Sequence, residues 1–330
     1  MATVTGMQSN RETSVVLPYW LDRPPMEAVE IAAAAERAGF RRLWIGEMAT
    51  FDAFALPSVI GTRAPALRLV IGPLAIGVRS PVAIALGASS VATLTGAAVD
   101  VALGASSPAI VAGWHDRPWD TRPTVMRETV AALRPLLAGG RADFDGTRVR
   151  THGFRLQRAL PSAAIAVAAF GPAMTRVAAE VADTIVLNLV PPSSVAAVRA
   201  RAEADARRAG RATPPRITVW VPVALDPGPA TAAQLAAQVA VYLRPPGYGE
   251  MFTTLGFGAL VDAARGGRSR RELAAEIPRE LVATVGAIGS GADVVARIAA
   301  YHDAGADEVA CVPATAEDAA GARVLAAIRP

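Results

Sequence analysis

The chain has 330 residues, 52% of them apolar, enough to bury a sizeable core in one large domain or two ordinary ones. All 33 basic residues are arginine and the formal net charge is +4; with no lysine, imine-forming aldolase chemistry is excluded. No apolar run reaches the length of a membrane span, the polar start "MATVTGMQSNRETS" lacks a signal core and so points to a cytoplasmic protein, and a single cysteine, Cys311, rules out a disulfide framework.

From the N-terminus, "SVVLPYW" (14–20) reads as a strand and "PMEAVEIAAAAERAG" (25–39) as a helix closing on Gly39. "RRLWIGE" (41–47) is a second strand, followed by "ALPSVIGTRAP". "LRLVIGPLAIG" (67–77) is a third, followed by the helix "PVAIALGASSVATLT". "AAVDVALGAS" (97–106) is a fourth, with the helix "RPTVMRETVAALRPLLAG" after a loop. "FDGTRVRTHGFRLQ" (144–157) alternates like a hairpin. "AAIAVAAF" (163–170), "DTIVLN" (183–188), "RITVWVPVAL" (216–225) and "DEVACVP" (307–313) complete eight strands, the last flanked by helices "DVVARIAAYHDAG" and "AEDAAGARVLAAI". Near-continuous apolar strands alternating with helices mean a parallel sheet covered on both faces, and eight such units predict a (β/α)8 TIM barrel over 1–330. No G-x-G-x-x-G follows the first strand, which argues against a dinucleotide-binding sheet. The stretch 228–288 is too long for one barrel helix and reads as an inserted helical subdomain carrying "YLRPPGYGEMFTTLGFG" (242–258).

In such a barrel the site lies at the C-terminal strand ends. Those ends are poor in acid–base groups, with no close carboxylate pair for glycoside cleavage and no trio of zinc ligands. Of three histidines, His302 sits near a helix C-terminus, where a cation suits the dipole. His152 falls in the hairpin, and His115, in "GWHDRPW", is near the mouth, either touching ligand or ordering its loop. Ser106 and Ser107 lack a nucleophile elbow and suit hydrogen bonding instead. Gly77 ends the third strand either in a bulge where backbone meets a flat ring or in an ordinary turn. At "FGPAM" a strand stops at Gly171, and Pro172 opens a helix whose free N–H groups suit an anion or only water. Cys311 lies in an apolar run and reads as buried. Two arginine-rich stretches, 199–211 and "RSRR" (268–271), lack interleaved aromatics, so no nucleic-acid partner is expected, and no membrane partner either. A mouth with few acid–base groups implies that a cofactor carries the reaction.

The stretches "RRLWIGEMATFDAF", the block 71–119, "AAFGPAMTRVAAEVADTIVLN" and "YHDAGADEVACVPATAEDAAGARVLAAI", in that order, resemble the luciferase-like monooxygenase superfamily, in its actinobacterial branch of F-420-dependent oxidoreductases. The resemblance spans nearly the whole chain and implies a TIM barrel with its largest insertion near the seventh strand. It implies a non-prolyl cis peptide in a bulge at Ile76, Gly77 and Val78 that supports a flavin or deazaflavin ring. It places the cofactor phosphate at Phe170, Gly171, Pro172, Ala173 and Met174, and gives Ser106 and Ser107 contacts with the cofactor. Relatives often show Glu then His where this chain has Glu47 then Met48, so Glu47 is a candidate by position only, with a loop-tying role as its alternative.

The function implied is reversible hydride transfer between C5 of F-420 and a small, apolar substrate. Glu47 or His115 would handle the accompanying proton, and Tyr19, Trp20, Trp114 and Tyr248 would line the substrate space. Two alternatives remain: an FMN-dependent monooxygenase on the same fold, and a non-catalytic flavin- or deazaflavin-binding protein. A homodimer through helices on one flank is also expected.

Overall fold

The computed structural model describes residues 11–18, 22–47 and 49–330, so Tyr19, Trp20 and Met48 lie outside the described residues. In chain order the strands are β1 (Glu12–Val16), β2 (Arg42–Ile45), β3 (Arg68–Ala75), β4 (Val99–Gly104), β5 (Arg141–Asp145), β6 (Arg150–Arg155), β7 (Ile165–Ala168), β8 (Thr184–Asn188), β9 (Arg216–Leu225), β10 (Ala287–Gly289) and β11 (Glu308–Pro313). β5 and β6 form a separate antiparallel hairpin. β1, β2, β3, β4, β7, β8, β9 and β11 pair in parallel in that order, and β11 pairs back to β1, closing an eight-stranded barrel. Each of the eight strands expected from sequence coincides with one of these, and the hairpin begins three residues before its expected start.

The chain folds this way because alternate residues of each strand meet different neighbours. Val15, Leu43, Leu69, Val101, Val167, Ile185, Val219 and Cys311 share one core with outer-helix residues such as Ile31, Ile60, Ile84, Leu133 and Val198. The intervening residues Val16, Trp44, Val70, Ala102, Ala166, Val186, Trp220 and Ala310 form a second cluster inside the ring, with Trp44 and Trp220 edge to face at 5.8 Å. Helices start where the chain supplies the local chemistry. Ser80 caps Pro81–Thr95 by accepting from the Ala83 N–H, and Ser290 with Asp293 forms a capping box on Gly291–Asp303. Cys311 is fully buried, and that burial raises its thiol far above the ordinary range.

Three details differ from expectation. The register shift in β3 lies between Ile71 and Leu74, and the cis peptide bond among the described residues is Gly72–Pro73, a prolyl one; none falls at Ile76, Gly77 or Val78. Pro73 has no N–H to give β4, and any side chain at Gly72 would collide with the Ala102 carbonyl, so these two residues set the irregularity four positions early. His302 lies in the last turn of its helix as expected, but burial opposes the charge that the helix dipole would favour. Burial holds its imidazole below the ordinary range while Nδ1 sits 2.9 Å from the Ala306 carbonyl. Thirdly, the inserted segment returns through β10, which adds to the C-terminal end of β9 at Val223–Leu225.

The N-terminal end of the barrel is closed by charge. The buried Glu308 carboxylate accepts from the Ser14 hydroxyl at 2.5 Å, Trp44 Nε1 at 2.7 Å and the Thr218 hydroxyl at 3.0 Å. Arg42 links this group to Glu12 at 3.2 Å and Asp100 at 2.9 Å, and Arg68 joins Asp100 at 2.7 Å. Burial pushes the Glu308 carboxyl up and the Arg42 charge pulls it back. Glu308→Ala leaves three buried donors unpaired and should cost about 3–5 kcal/mol of unfolding free energy in urea titration. A loss below about 1 kcal/mol would show that the carboxylate is not their shared acceptor.

Candidate functional site

At the opposite end, the inner wall near the mouth is built from small residues. A Cβ added at Gly104, the last residue of β4, would lie 3.1 Å from the Pro73 Cβ and 3.8 Å from the Ala168 Cβ. Pro73, Gly104 and Ala168 therefore adjoin on three neighbouring strands, presenting a low surface above the Trp44–Trp220 pair. Such a wall suits the face of a flat ring.

Beside it, β7 runs out through Ala169 and Phe170 into Gly171, at φ +88°, and Pro172 opens the ten-residue helix Pro172–Val181. Nothing lies within 4 Å of where a Gly171 Cβ would be. Pro172 carries no N–H, and the Thr175 N–H turns back to the Gly171 carbonyl at 3.1 Å; Ala173 and Met174, in the first turn, have no intrahelical acceptor. Thr175 is fully buried, yet its hydroxyl lacks a partner among the described residues. Open backbone, first-turn N–H groups and an unsatisfied buried hydroxyl fit a phosphate.

The same dipeptide serves as a comparison within the chain. Gly228–Pro229 also opens a helix, Pro229–Val241, but there the Glu317 carboxylate accepts from the Thr231 N–H at 3.0 Å. One glycine–proline start is filled by the chain's own anion and the other is left open.

The inserted segment covers this end of the barrel, leaving and rejoining it at the C-terminal end of β9. Its Leu235, Val239, Leu243, Phe252 and Val261 belong to the same cluster as the barrel interior. Phe170 stacks on Tyr248 at 4.9 Å, and Tyr248 meets Tyr242 at 4.9 Å. The rings are half-buried and their hydroxyl ends are buried, which raises both phenols above the ordinary range; a hydrogen bond with the Asn188 amide, at the end of β8, opposes this in each. Both hydroxyls are therefore protonated at neutral pH.

The remaining expected residues are distributed around the rim. Glu47 lies 2.5 Å from Arg79 Nη1, a charge contact without an aligned hydrogen bond, and Arg79 Nη2 donates to Asp52 at 3.1 Å. Burial raises the Asp52 carboxyl, but the Phe54 and Ala55 N–H groups and Arg79 outweigh it and hold the group low. Ile76 is buried and donates to the Gly104 carbonyl at 3.0 Å, Gly77 is exposed at φ +83°, and Val78 is half-buried. Ser106 is exposed at φ +59°, while the Ser107 carbonyl accepts from Ile110 and Val111. Trp114 is 68% exposed on a π-helical turn, Ala109–Trp114, and His115 follows it, exposed. Among the described residues, no hydrogen bond, ion pair or ring contact links either of them to the small-residue wall. Arg79, Tyr242, Thr175 and Trp119 were missed by sequence reasoning, and Asn188 was read only as the end of a strand facing the mouth. Trp119 donates to the Ala105 carbonyl at 3.1 Å and stacks under Arg122 at 3.5 Å, tying its loop to the end of β4. A tyrosine shortly before Tyr248 in the insertion was a usable signal for Tyr242; nothing local marked Thr175. Among the described residues no group of three His, Cys, Asp or Glu side chains could hold a metal ion, and no helix is long and apolar enough to cross a membrane.

The fold thus combines a closed parallel barrel, a helical insertion over its C-terminal end, a low wall at the mouth and an open helix start. The family's sequence profile, luciferase-like monooxygenase, matches residues 3–308, and the chain belongs to that family. It is 25% identical over 193 residues to 5,10-methylenetetrahydromethanopterin reductase of Methanolobus tindarius, covering 57% of this chain and 58% of that one. It is 26% identical over 132 residues to a putative coenzyme F-420-dependent oxidoreductase of Mycobacterium tuberculosis, covering 40% and 38%. The alignments thus span 58% and 38% of these relatives, less than two thirds of either. Among solved structures, the F-420-dependent tetrahydromethanopterin reductase of Methanopyrus kandleri superposes with TM-score 0.81 at 18% identity, over 96% of this chain and 98% of that one.

The Glu47–Arg79 contact makes a loop-tying role testable. In a double-mutant cycle of Glu47→Gln and Arg79→Gln, read by urea unfolding, we expect a coupling of about 1 kcal/mol, between the surface and buried limits for ion pairs. Coupling within error of zero would leave Glu47 free for other work.

Proposed function

We propose that this protein is an F-420-dependent oxidoreductase, moving a hydride between the deazaflavin ring and a small, apolar organic substrate. The observation that carries the reading is the open helix start at Gly171–Met174 beside the low wall of Pro73, Gly104 and Ala168. A phosphorylated ring cofactor needs both features together, and a substrate alone needs neither. The F-420 dependence of two of the similar proteins supports the choice of cofactor.

In this reading the Ala173 and Met174 N–H groups hold the phosphate, with the Thr175 hydroxyl as a further donor. The wall sets the depth of the ring, and Ile76, Gly77 and Val78 bound it on the β3 side. When bound, the coenzyme supplies the hydride chemistry. The chain supplies orientation and a water-poor space under the Phe170–Tyr248 stack, which are worth several kcal/mol in effective concentration. Of the two proton-handling candidates, Glu47 is on the rim with Arg79 beside it, and His115 is on an exposed turn. The buried Tyr242 and Tyr248 hydroxyls, held protonated by burial, would act near the ring as hydrogen-bond donors and not as a source of the proton.

An FMN-dependent monooxygenase is the alternative reading. It is supported by the oxygenating constituent of 3,6-diketocamphane monooxygenase of Pseudomonas putida, solved with FMN, which superposes at TM-score 0.70 and 16% identity over 97% of each chain. Anaerobic titration with reduced F-420 and reduced FMN, then admission of oxygen, separates the two. We expect tight F-420 binding and no oxygen-dependent turnover.

The phosphate position is tested by charge. Any side chain at Gly171 is strained at its positive φ, so the variant of choice is Ala173→Glu, exposed in the first helical turn, where a carboxylate favours the helix. Cofactor affinity should fall at least tenfold with the thermal midpoint unchanged or raised. Unchanged affinity would remove the phosphate from this helix.

A further inference from the structure

The barrel interior holds a hydrogen-bond donor that the proposed function leaves idle. Trp220, on β9, is 6% exposed, and its indole N–H is wholly buried with no acceptor among the described residues. A buried donor without an acceptor is costly, so each one in a native fold calls for a physical account. Trp44 is the internal comparison. Its ring meets Trp220 edge to face at 5.8 Å in the same interior cluster, yet its N–H donates to Glu308 at 2.7 Å. That carboxylate also accepts from Ser14 and Thr218, and Thr218 enters the interior one step nearer the closed end than Trp220 does. Trp220 therefore stands one layer above the group that satisfies its neighbour.

The same layer belongs to the candidate site. Trp220 pairs in register with Asn188, the last residue of β8, whose amide meets the hydroxyls of Tyr242 and Tyr248. Tyr248 in turn stacks on Phe170, the residue before Gly171. In the ring of eight strands β9 lies four strands from β3, so Trp220 enters from the side opposite Pro73. Toward the mouth, the next interior positions on β9 are Pro222 and Ala224, both buried, and across from them stand Pro73, Gly104 and Ala168. None of these residues has a polar side chain. A flat ring laid on the wall turns its other face toward β9, and a molecule reacting with that face lies between the ring and Trp220.

We propose that the Trp220 indole N–H determines substrate specificity by donating to an oxygen of the substrate, so that an otherwise apolar molecule carries a carbonyl or hydroxyl group on the side facing β9. The inference rests on the ring position in the proposed function and adds the functional group that the substrate presents. The tyrosine hydroxyls are engaged with Asn188, whereas the indole has no partner among the described residues. An apolar site with one such donor rejects analogues that lack the acceptor, because binding them leaves the donor unpaired. An indole is a donor only, so Trp220 orients the oxygen and moves no proton.

The test uses the full chain, isotope-labelled in its tryptophan side chains, with oxidised F-420 present so that a ketone binds without turnover. The ligands are cyclohexanone and acetophenone, each set against an oxygen-free isostere, methylenecyclohexane and α-methylstyrene. The Trp220 N–H signal in the NMR spectrum is identified by its loss in Trp220→Phe or, should that variant not fold, by triple-resonance assignment. It should move downfield with at least one ketone and hold its place with both hydrocarbons. The Trp44 signal, already bonded to Glu308, should stay still. Trp220→Phe should weaken that ketone about fivefold and F-420 less than about twofold. No movement with either ketone at its solubility limit, equal movement with a ketone and its isostere, or equal weakening of ketone and F-420 would overturn the role of Trp220 while leaving the F-420 reading intact. Failure of the unaltered protein to bind F-420 would remove that reading and this inference with it.

Discussion

Closure of eight parallel strands is the constraint on which every other feature depends. Once β8 pairs with β9 and β11 with β1, the sheet has no free edge, and its alternate residues are divided between two separate apolar clusters. The outer cluster binds the ring of helices. The inner one must be filled by side chains from within, and it is filled unevenly. Charged and polar groups around Glu308 close one end, the two tryptophans occupy the middle, and glycine, proline and alanine line the mouth. A parallel barrel can form a site only where its interior is left incomplete, and here that is the C-terminal end.

The chemistry at that end is mostly backbone and aromatic. Glu47 is engaged with Arg79, His115 is exposed on its turn, and the two buried tyrosine hydroxyls share Asn188. What stands ready is an open helix start and a flat wall, neither of which carries a reactive side chain. That division of labour suits a bound coenzyme as the reactive group and a protein that orients and dries it. The insertion adds to this by extending the barrel's own interior cluster upward, so the cap is packed onto the site rather than tethered above it.

The two glycine–proline helix starts show how far local sequence reaches. Gly171–Pro172 and Gly228–Pro229 read alike, and both open helices. Only the fold brings Glu317, nearly ninety positions away from Thr231, to fill one of them. The β3 irregularity makes the same point in a shorter range. Gly77 has the positive φ that a bulge would use, but the register breaks at Gly72–Pro73, because there the missing N–H faces β4 and the missing Cβ faces the Ala102 carbonyl.

By itself the amino-acid sequence determined the eight strands, the hairpin, the long insertion and the family, because each is written in the spacing of apolar residues and in short contiguous motifs. It also determined what was absent from the chemistry, since residue types can be counted: no lysine and one cysteine. The tertiary structure alone decided which groups are spent and which are free. Glu47 was assigned to Arg79, His302 to the Ala306 carbonyl, and Thr175 and Arg270 were left without partners among the described residues. Such pairings depend on distances between segments remote in the chain, and periodicity along one segment carries no information about them.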